Sequence, residues 1–182
     1  LLTMSSQNTL YENNTIYNSI NIAGATGAYN NTFLNNILNS GTISNNDPLS
    51  FNWFVYNNSL GEIRWNLSNA TISTNINLSL GTNIFIQNNT LGLADNIILR
   101  NFNTSAQLTF YGLGYASTPF LLKNGVRCDN NVALCNISYN SGTGTLLANV
   151  SSFSNYTTST ADAAPNVTLV SPAASYSNIT ST

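Results

Sequence analysis

Histidine is missing from this chain altogether. Its absence removes the commonest general base, the Ser-His-Asp triad, and most zinc and copper sites. Charge is scarce as well: four cations and six acids make up 5% of 182 residues, against roughly 25% in an ordinary soluble domain. Four cations cannot neutralise a row of phosphates, which argues against nucleic acid and against anionic membrane surfaces as partners. The acids are Glu12, Asp47, Glu62, Asp95, Asp129 and Asp162, scattered so that no single segment holds a glycosidase-like carboxylate pair. A calcium site at Asp47 or Asp129 would need several further oxygens drawn together. No P-loop and no G-x-G-x-x-G is present. An enzyme is therefore not expected, and no catalytic residue, metal or cofactor is assigned.

Other absences bear on location. No apolar run approaches the roughly 18 residues of a membrane span, so no membrane insertion is expected. The opening LLTMSSQNTL lacks the basic start and long apolar stretch of a signal peptide, as in a chain matured by cleavage or a fragment. Only two cysteines occur, Cys128 and Cys135 in CDNNVALC. Their spacing suits a local disulfide in an oxidising compartment, and a metal site would need two more soft ligands.

What fills the polar share is neutral: 34 Asn, 22 Ser and 21 Thr. With 19 aromatics and a net charge of only −2, the chain lacks the signature of disorder. The composition produces 13 N-x-S/T sequons, at Asn13, Asn30, Asn57, Asn66, Asn69, Asn77, Asn88, Asn103, Asn136, Asn149, Asn155, Asn166 and Asn178. Shuffling the same residues would yield about eight, so the excess is moderate. Strand alternation adds to it. In EIRWNLS, Ile63, Trp65 and Leu67 share one face and Asn66 lies on the other. The same pattern turns Asn77, Asn136 and Asn149 outward, where a glycan could attach.

Helical periodicity and strong helix formers are nearly absent, while short apolar or alternating runs lie between Asn, Gly, Ser and Thr clusters. The chain reads as all-β. Residues 1–60 contain NTLYENN, NTIYNSI, NTFLNNIL, each setting large apolar residues beside Asn. Such repetition suits a β-helix-like region, in which Asn takes left-handed corners and stacks between rungs. An Asn-rich sandwich would have the same composition. Residues 61–160 carry eight strand candidates, 62–68, 71–80, 83–87, 96–100, 107–111, 119–123, 135–139 and 145–152, as in a β-sandwich. Turns are expected at Leu80-Gly81, Leu91-Gly92, Asn124-Gly125 and Ser141-Gly142, with Asn124-Gly125 the clearest hairpin signal. From Ser151 the chain turns Ser/Thr-rich and reads as a linker, and residues 161–182 add one extended strand, Val167, Thr168, Leu169 and Val170, between Pro165 and Pro172.

By NIFIQNNTLGLADN, AQLTFYGLGY, PFLLKNGVRCDNN, CNISYNSGTGTLLANVSSFSNYTT and APNVTLVSPA, the chain resembles large modular surface proteins of archaea. These carry NosD-type right-handed β-helix repeats followed by Ig-like β-sandwiches. The resemblance spans roughly residues 13–175. It implies a cell-surface location and no common catalytic set, and PNVTLVSP resembles the opener of a further sandwich.

Two functions follow as expectations. One is an extracellular structural glycoprotein carrying N-linked glycans, a subunit of a surface filament or surface layer. Its partners would be copies of itself or neighbouring domains, with the 167–170 strand exchanged between subunits. The other is a glycan-binding or adhesion module using Trp53 and Tyr56 of FNWFVY as a stacking platform, although β-propensity makes core packing the expected role of that cluster.

Overall fold

A computed structural model of the chain describes residues 2–4, 9–17, 20–22, 30–39, 42–45, 51–67, 70–73, 77–94 and 102–160. Every strand lies in one of four sheets, and no helix occurs among the described residues.

The chain first winds through three stacks of short strands. β1 (Leu2–Met4), β4 (Ile20–Ile22) and β7 (Thr42–Asn45) pair in parallel, as do β2 (Leu10–Glu12), β5 (Thr32–Leu34) and β8 (Trp53–Asn58). β3 (Thr15–Ile16) pairs in parallel with β6 (Ile37–Asn39). Strands of two to six residues are held in register by asparagine as much as by the ladders. Asn36 is fully buried; its Oδ1 accepts from Asn14 N at 2.8 Å, and its Nδ2 donates to the Tyr11 carbonyl at 2.8 Å. The Oδ1 of Asn31 accepts from Thr9 N, and that of Asn52 from Asn31 N, each at 3.0 Å. These bonds join residues 21 to 25 apart, one winding of the chain. Asn13 and Asn35 take left-handed corners at φ 56° and 51°, a region open to Asn at low cost. Tyr11 stacks on Phe33 with centroids 5.1 Å apart.

At Asn58–Gly61 the chain reverses. β9 (Gly61–Asn66), β10 (Ala70–Ser73) and β11 (Asn77–Leu78) each add antiparallel to one of the three stacks, on β8, β7 and β6 in turn. The expected boundary at residues 60/61 thus marks a change of pairing direction, inside a hairpin of one continuous sheet.

That sheet continues through β14 (Ala106–Phe110), β18 (Thr145–Val150) and β17 (Cys135–Asn140), all antiparallel, giving seven strands in the order β17-β18-β14-β9-β8-β5-β2. A five-stranded antiparallel sheet contains β12 (Ile84–Gln87), β13 (Thr90–Leu93), β19 (Tyr156–Ser159), β15 (Phe120–Lys123) and β16 (Val126–Arg127). The two layers are compatible with a sandwich. Their aromatic core centres on fully buried Trp65, with Phe153 at 5.0 Å, Phe102 at 5.3 Å and Phe54 at 6.1 Å. The same core cluster runs back to Phe33, Leu38 and Ile16 in the parallel stacks.

Several expectations change. The candidate 71–80 is two strands, β10 and β11, and 96–100 lies outside the described residues. Tyr156–Ser159, expected in a linker, is the central strand β19, with Phe153, Ser154, Tyr156 and Thr158 buried. Leu91-Gly92 is no turn but the middle of β13. There a Cβ on Gly92 would meet Asn155 Oδ1 at 2.3 Å and Phe85 Cζ at 2.5 Å, so glycine is required by close approach. Asn124-Gly125 does make the hairpin between β15 and β16, both residues at positive φ.

Candidate functional site

Alternation expels polar side chains to the outward face of the seven-stranded sheet. On β9, Ile63 and Trp65 are buried, as is Leu67 beyond it, and Asn66 is exposed. On β17 and β18, Asn136 and Asn149 are exposed, while Cys135, Ala148 and Val150 are buried. Asn136 and Asn149 are direct register partners, and the row continues through Gln107 on β14 to Arg64 on β9. Gln107 Nε2 donates to Asn149 Oδ1 at 3.3 Å.

Trp53 begins β8 and is half-buried on this same face, in direct register with Asn66. The Arg64 guanidinium carbon lies 5.0 Å from its ring centroid, and Arg64 Nε is 3.3 Å from Glu62 Oε1. The geometry is that of a cation–π contact beside a surface ion pair. Burial, and after it the Glu62 carboxylate, raises the nearby Tyr111 phenol above its ordinary value. A shallow groove of about 200 Å³ opens between Trp53, Arg64, Asn66, Ser105, Gln107 and Asn149. An indole, a guanidinium and three amides make a ring-stacking and hydrogen-bonding surface with no carboxylate in its lining.

The sequons separate into groups. Asn13, Asn30, Asn66, Asn88, Asn103, Asn136 and Asn149 are exposed. Asn57 and Asn155 are half-buried and serve the framework. Asn57 Oδ1 accepts from Asn35 Nδ2 at 2.9 Å, and Asn155 Oδ1 accepts from Leu93 N at 3.0 Å. Asn69, Asn166 and Asn178 lie outside the described residues, and the side chain of Asn77 does too. So do Val167, Thr168, Leu169 and Val170 of the expected exchange strand.

Tyr56 is not part of any platform. It is fully buried; its hydroxyl donates to the Asn36 carbonyl at 2.6 Å, and burial raises its pKa far above the ordinary 10.0. Trp53 and Tyr56 are three residues apart, so strand alternation puts them on opposite faces: β8 turns Phe54 and Tyr56 inward and Trp53 outward. Cys128 and Cys135 form a disulfide with Cα atoms 5.5 Å apart, tying the end of β16 to the start of β17 and so one sheet to the other. Asp129 serves the framework. Its Oδ1 accepts from Leu121 N at 3.1 Å, and its Oδ2 pairs with Arg127 at 3.1 Å.

Comparison with known proteins identifies no relative: no family model, curated protein or solved structure matches the chain. Among the described residues no three His, Cys, Asp or Glu side chains gather as a metal site, and no helix is long and apolar enough to cross a membrane.

The pairing of Trp53 with Asn66 follows from the two-residue connection Ser59-Leu60 between Asn58 and Gly61, which sets the register of both strands but carries no Asn-Gly or Gly turn signature in the sequence. The meeting of Gln107 with Asn149 had no sequence signal either, because it depends on which distant strands become neighbours.

Proposed function

We propose that this chain is an extracellular structural glycoprotein, a subunit of a surface filament or surface layer, without enzymatic activity. The observation that carries this is the exposure of Asn66, Asn136 and Asn149 on the outward face of one long sheet, each inside a sequon. Glycans there would give a weakly charged surface the solubility that Lys and Glu normally supply. The Cys128–Cys135 disulfide supports a non-reducing compartment. The parallel stacks with their Asn bridges support a β-helix-like first region, and the two antiparallel layers support an Ig-like sandwich after it. Partners in this reading are neighbouring copies or neighbouring domains of a larger surface protein. Among the described residues β17 closes one side of the seven-stranded sheet, an edge that a strand such as Val167–Val170 from a neighbour could extend.

Electron microscopy of native material tests the proposal directly. Expected are filaments or sheets with density extending from Asn66 and from Asn136 or Asn149. Isolated unmodified monomers would overturn it. Deleting residues 165–182 tests strand exchange: normal assembly without them would remove that part and leave the rest.

A second reading is favoured by one observation, the half-buried Trp53 in its groove. A carbohydrate-binding module would use that ring, without Tyr56.

A further inference from the structure

We infer that the groove at Trp53 seats the first sugar of an N-linked glycan carried by Asn66 of the same chain. The inference rests on the proposal that the sequons are glycosylated, and adds a binding site for one of them. Trp53 and Asn66 are direct partners across the β8–β9 hairpin. Opposite residues in an antiparallel pair have Cβ atoms about 4.5–5.5 Å apart. A sugar on Asn66 Nδ2 therefore starts beside the indole. Asn149 reaches the same groove from β18, three strands away from β8, or roughly 14 Å at the usual strand spacing. Distance favours Asn66 as the source.

The groove's chemistry fits a sugar ring. The part of the Trp53 indole that the Arg64 guanidinium over the ring does not cover offers an apolar surface to ring C–H groups, and the guanidinium and the Gln107 amide offer hydrogen bonds to hydroxyls. Its volume of about 200 Å³ holds a single small ring. That is below the roughly 300–1,000 Å³ of pockets that bind free drug-sized ligands. So open a site would hold a free sugar poorly. A tether changes this, because a short covalent link supplies an effective concentration on the order of millimolar.

The test uses the glycosylated chain and two variants. Ser68→Ala destroys the Asn66 sequon but keeps Asn66, and Ser151→Ala does the same for Asn149. Glycan occupancy is read by mass spectrometry, and collisional quenching by acrylamide reads the indole. Trp65 is fully buried, so quenching reports on Trp53, while the unchanged emission of Trp65 verifies the fold. The expected result is a protected Trp53 in the native protein, loss of protection in Ser68→Ala, and retention in Ser151→Ala. Loss of the Asn66 glycan with unchanged quenching would overturn the inference and leave glycosylation standing. Loss of protection in Ser151→Ala instead would assign the groove to the Asn149 glycan. Restoration of protection in Ser68→Ala by adding the glycan released from the native protein would assign it to sugar in trans. An unmodified Asn66 in native material would remove both this site and the glycosylation proposed there.

Discussion

Residues 2–58 and residues 61–160 draw on one vocabulary of Asn, Thr, Leu, Ile and aromatics but use asparagine in opposite ways. In the first region Asn31, Asn36, Asn45 and Asn52 are buried. Parallel windings place the same position of each rung above the last, so an inward Asn finds a backbone group one winding away and can be fully satisfied. In the second region Asn66, Asn136 and Asn149 are exposed, alternating with a buried aromatic and aliphatic core. Antiparallel strands of a sandwich offer no such repeat, and a buried amide without partners costs free energy. Among the described residues, fully buried Asn occur only where the chain stacks on itself; in the second region half-buried Asn155 is the framework amide, accepting from Leu93 N.

The largest expected effect tests whether both regions melt together. Each holds a buried tyrosine, Tyr56 in β8 and Tyr156 in β19, and burial raises both above the usual 10.0. Folded values above unfolded ones contribute stability that is complete below pH 10.0 and is lost as pH rises beyond it. Circular dichroism should therefore show a single alkaline unfolding step. Tyr56→Phe and Tyr156→Phe should each move it to higher pH, and two separated steps would mean two independent cores.

Trp65→Ala should come next, costing about 3–5 kcal/mol for an aromatic lost from a packed core. Trp65 touches Phe54 of the first region and Phe153 of the second. Denaturant melts should therefore shift for probes in both regions. Reducing Cys128–Cys135 should cost about 2 kcal/mol, the loop-closure term for so short a loop, in a melt with and without reductant.

Smaller still is the asparagine contrast itself. Asn36→Ala leaves Asn14 N and the Tyr11 carbonyl without their partner and should cost about 1–3 kcal/mol. Asn136→Ala in unglycosylated protein should stay within about 0.5 kcal/mol. Equal costs would break the comparison. It can be sharpened in glycosylated material, where Asn136 and Asn149 face each other directly. Two glycans rooted about 5 Å apart crowd one another, so mass spectrometry should find few chains carrying both, and Asn136→Gln should raise occupancy at Asn149.

Much of the second region was legible because period-two alternation is local. Ile63, Trp65 and Leu67 declared the buried face of β9, and Asn124-Gly125 declared the β15–β16 hairpin. Tyr156–Ser159 was hidden because only Tyr156 of its two buried positions is apolar, with Thr158 the other in a Ser/Thr-rich stretch, and their burial depends on β13 and β15 arriving on either side. In the first region the phrases were visible but their relation was not. NTLYENN and NTFLNNIL are successive rungs of one stack, β2 beneath β5, whereas NTIYNSI supplies β3 and the start of β4 in the same winding as β2. Similar words occupied neighbouring corners because each corner sets the same demand on Asn. Proximity in sequence groups Tyr56 with Trp53, but three residues apart on an alternating strand they face opposite ways.

By itself, then, the sequence determined the all-β class, the paucity of charge, the disulfide candidate and the outward Asn66, Asn136 and Asn149 of their alternating strands, since all follow from composition or from neighbours two residues apart. Tertiary structure decided which asparagines brace the interior and which face solvent. It also decided that Asn57 and Asn155 serve the framework, and that Trp53, Gln107 and Asn149 meet across four strands. Those outcomes depend on which distant backbones pair, and hydrogen bonding and burial are settled only once they do.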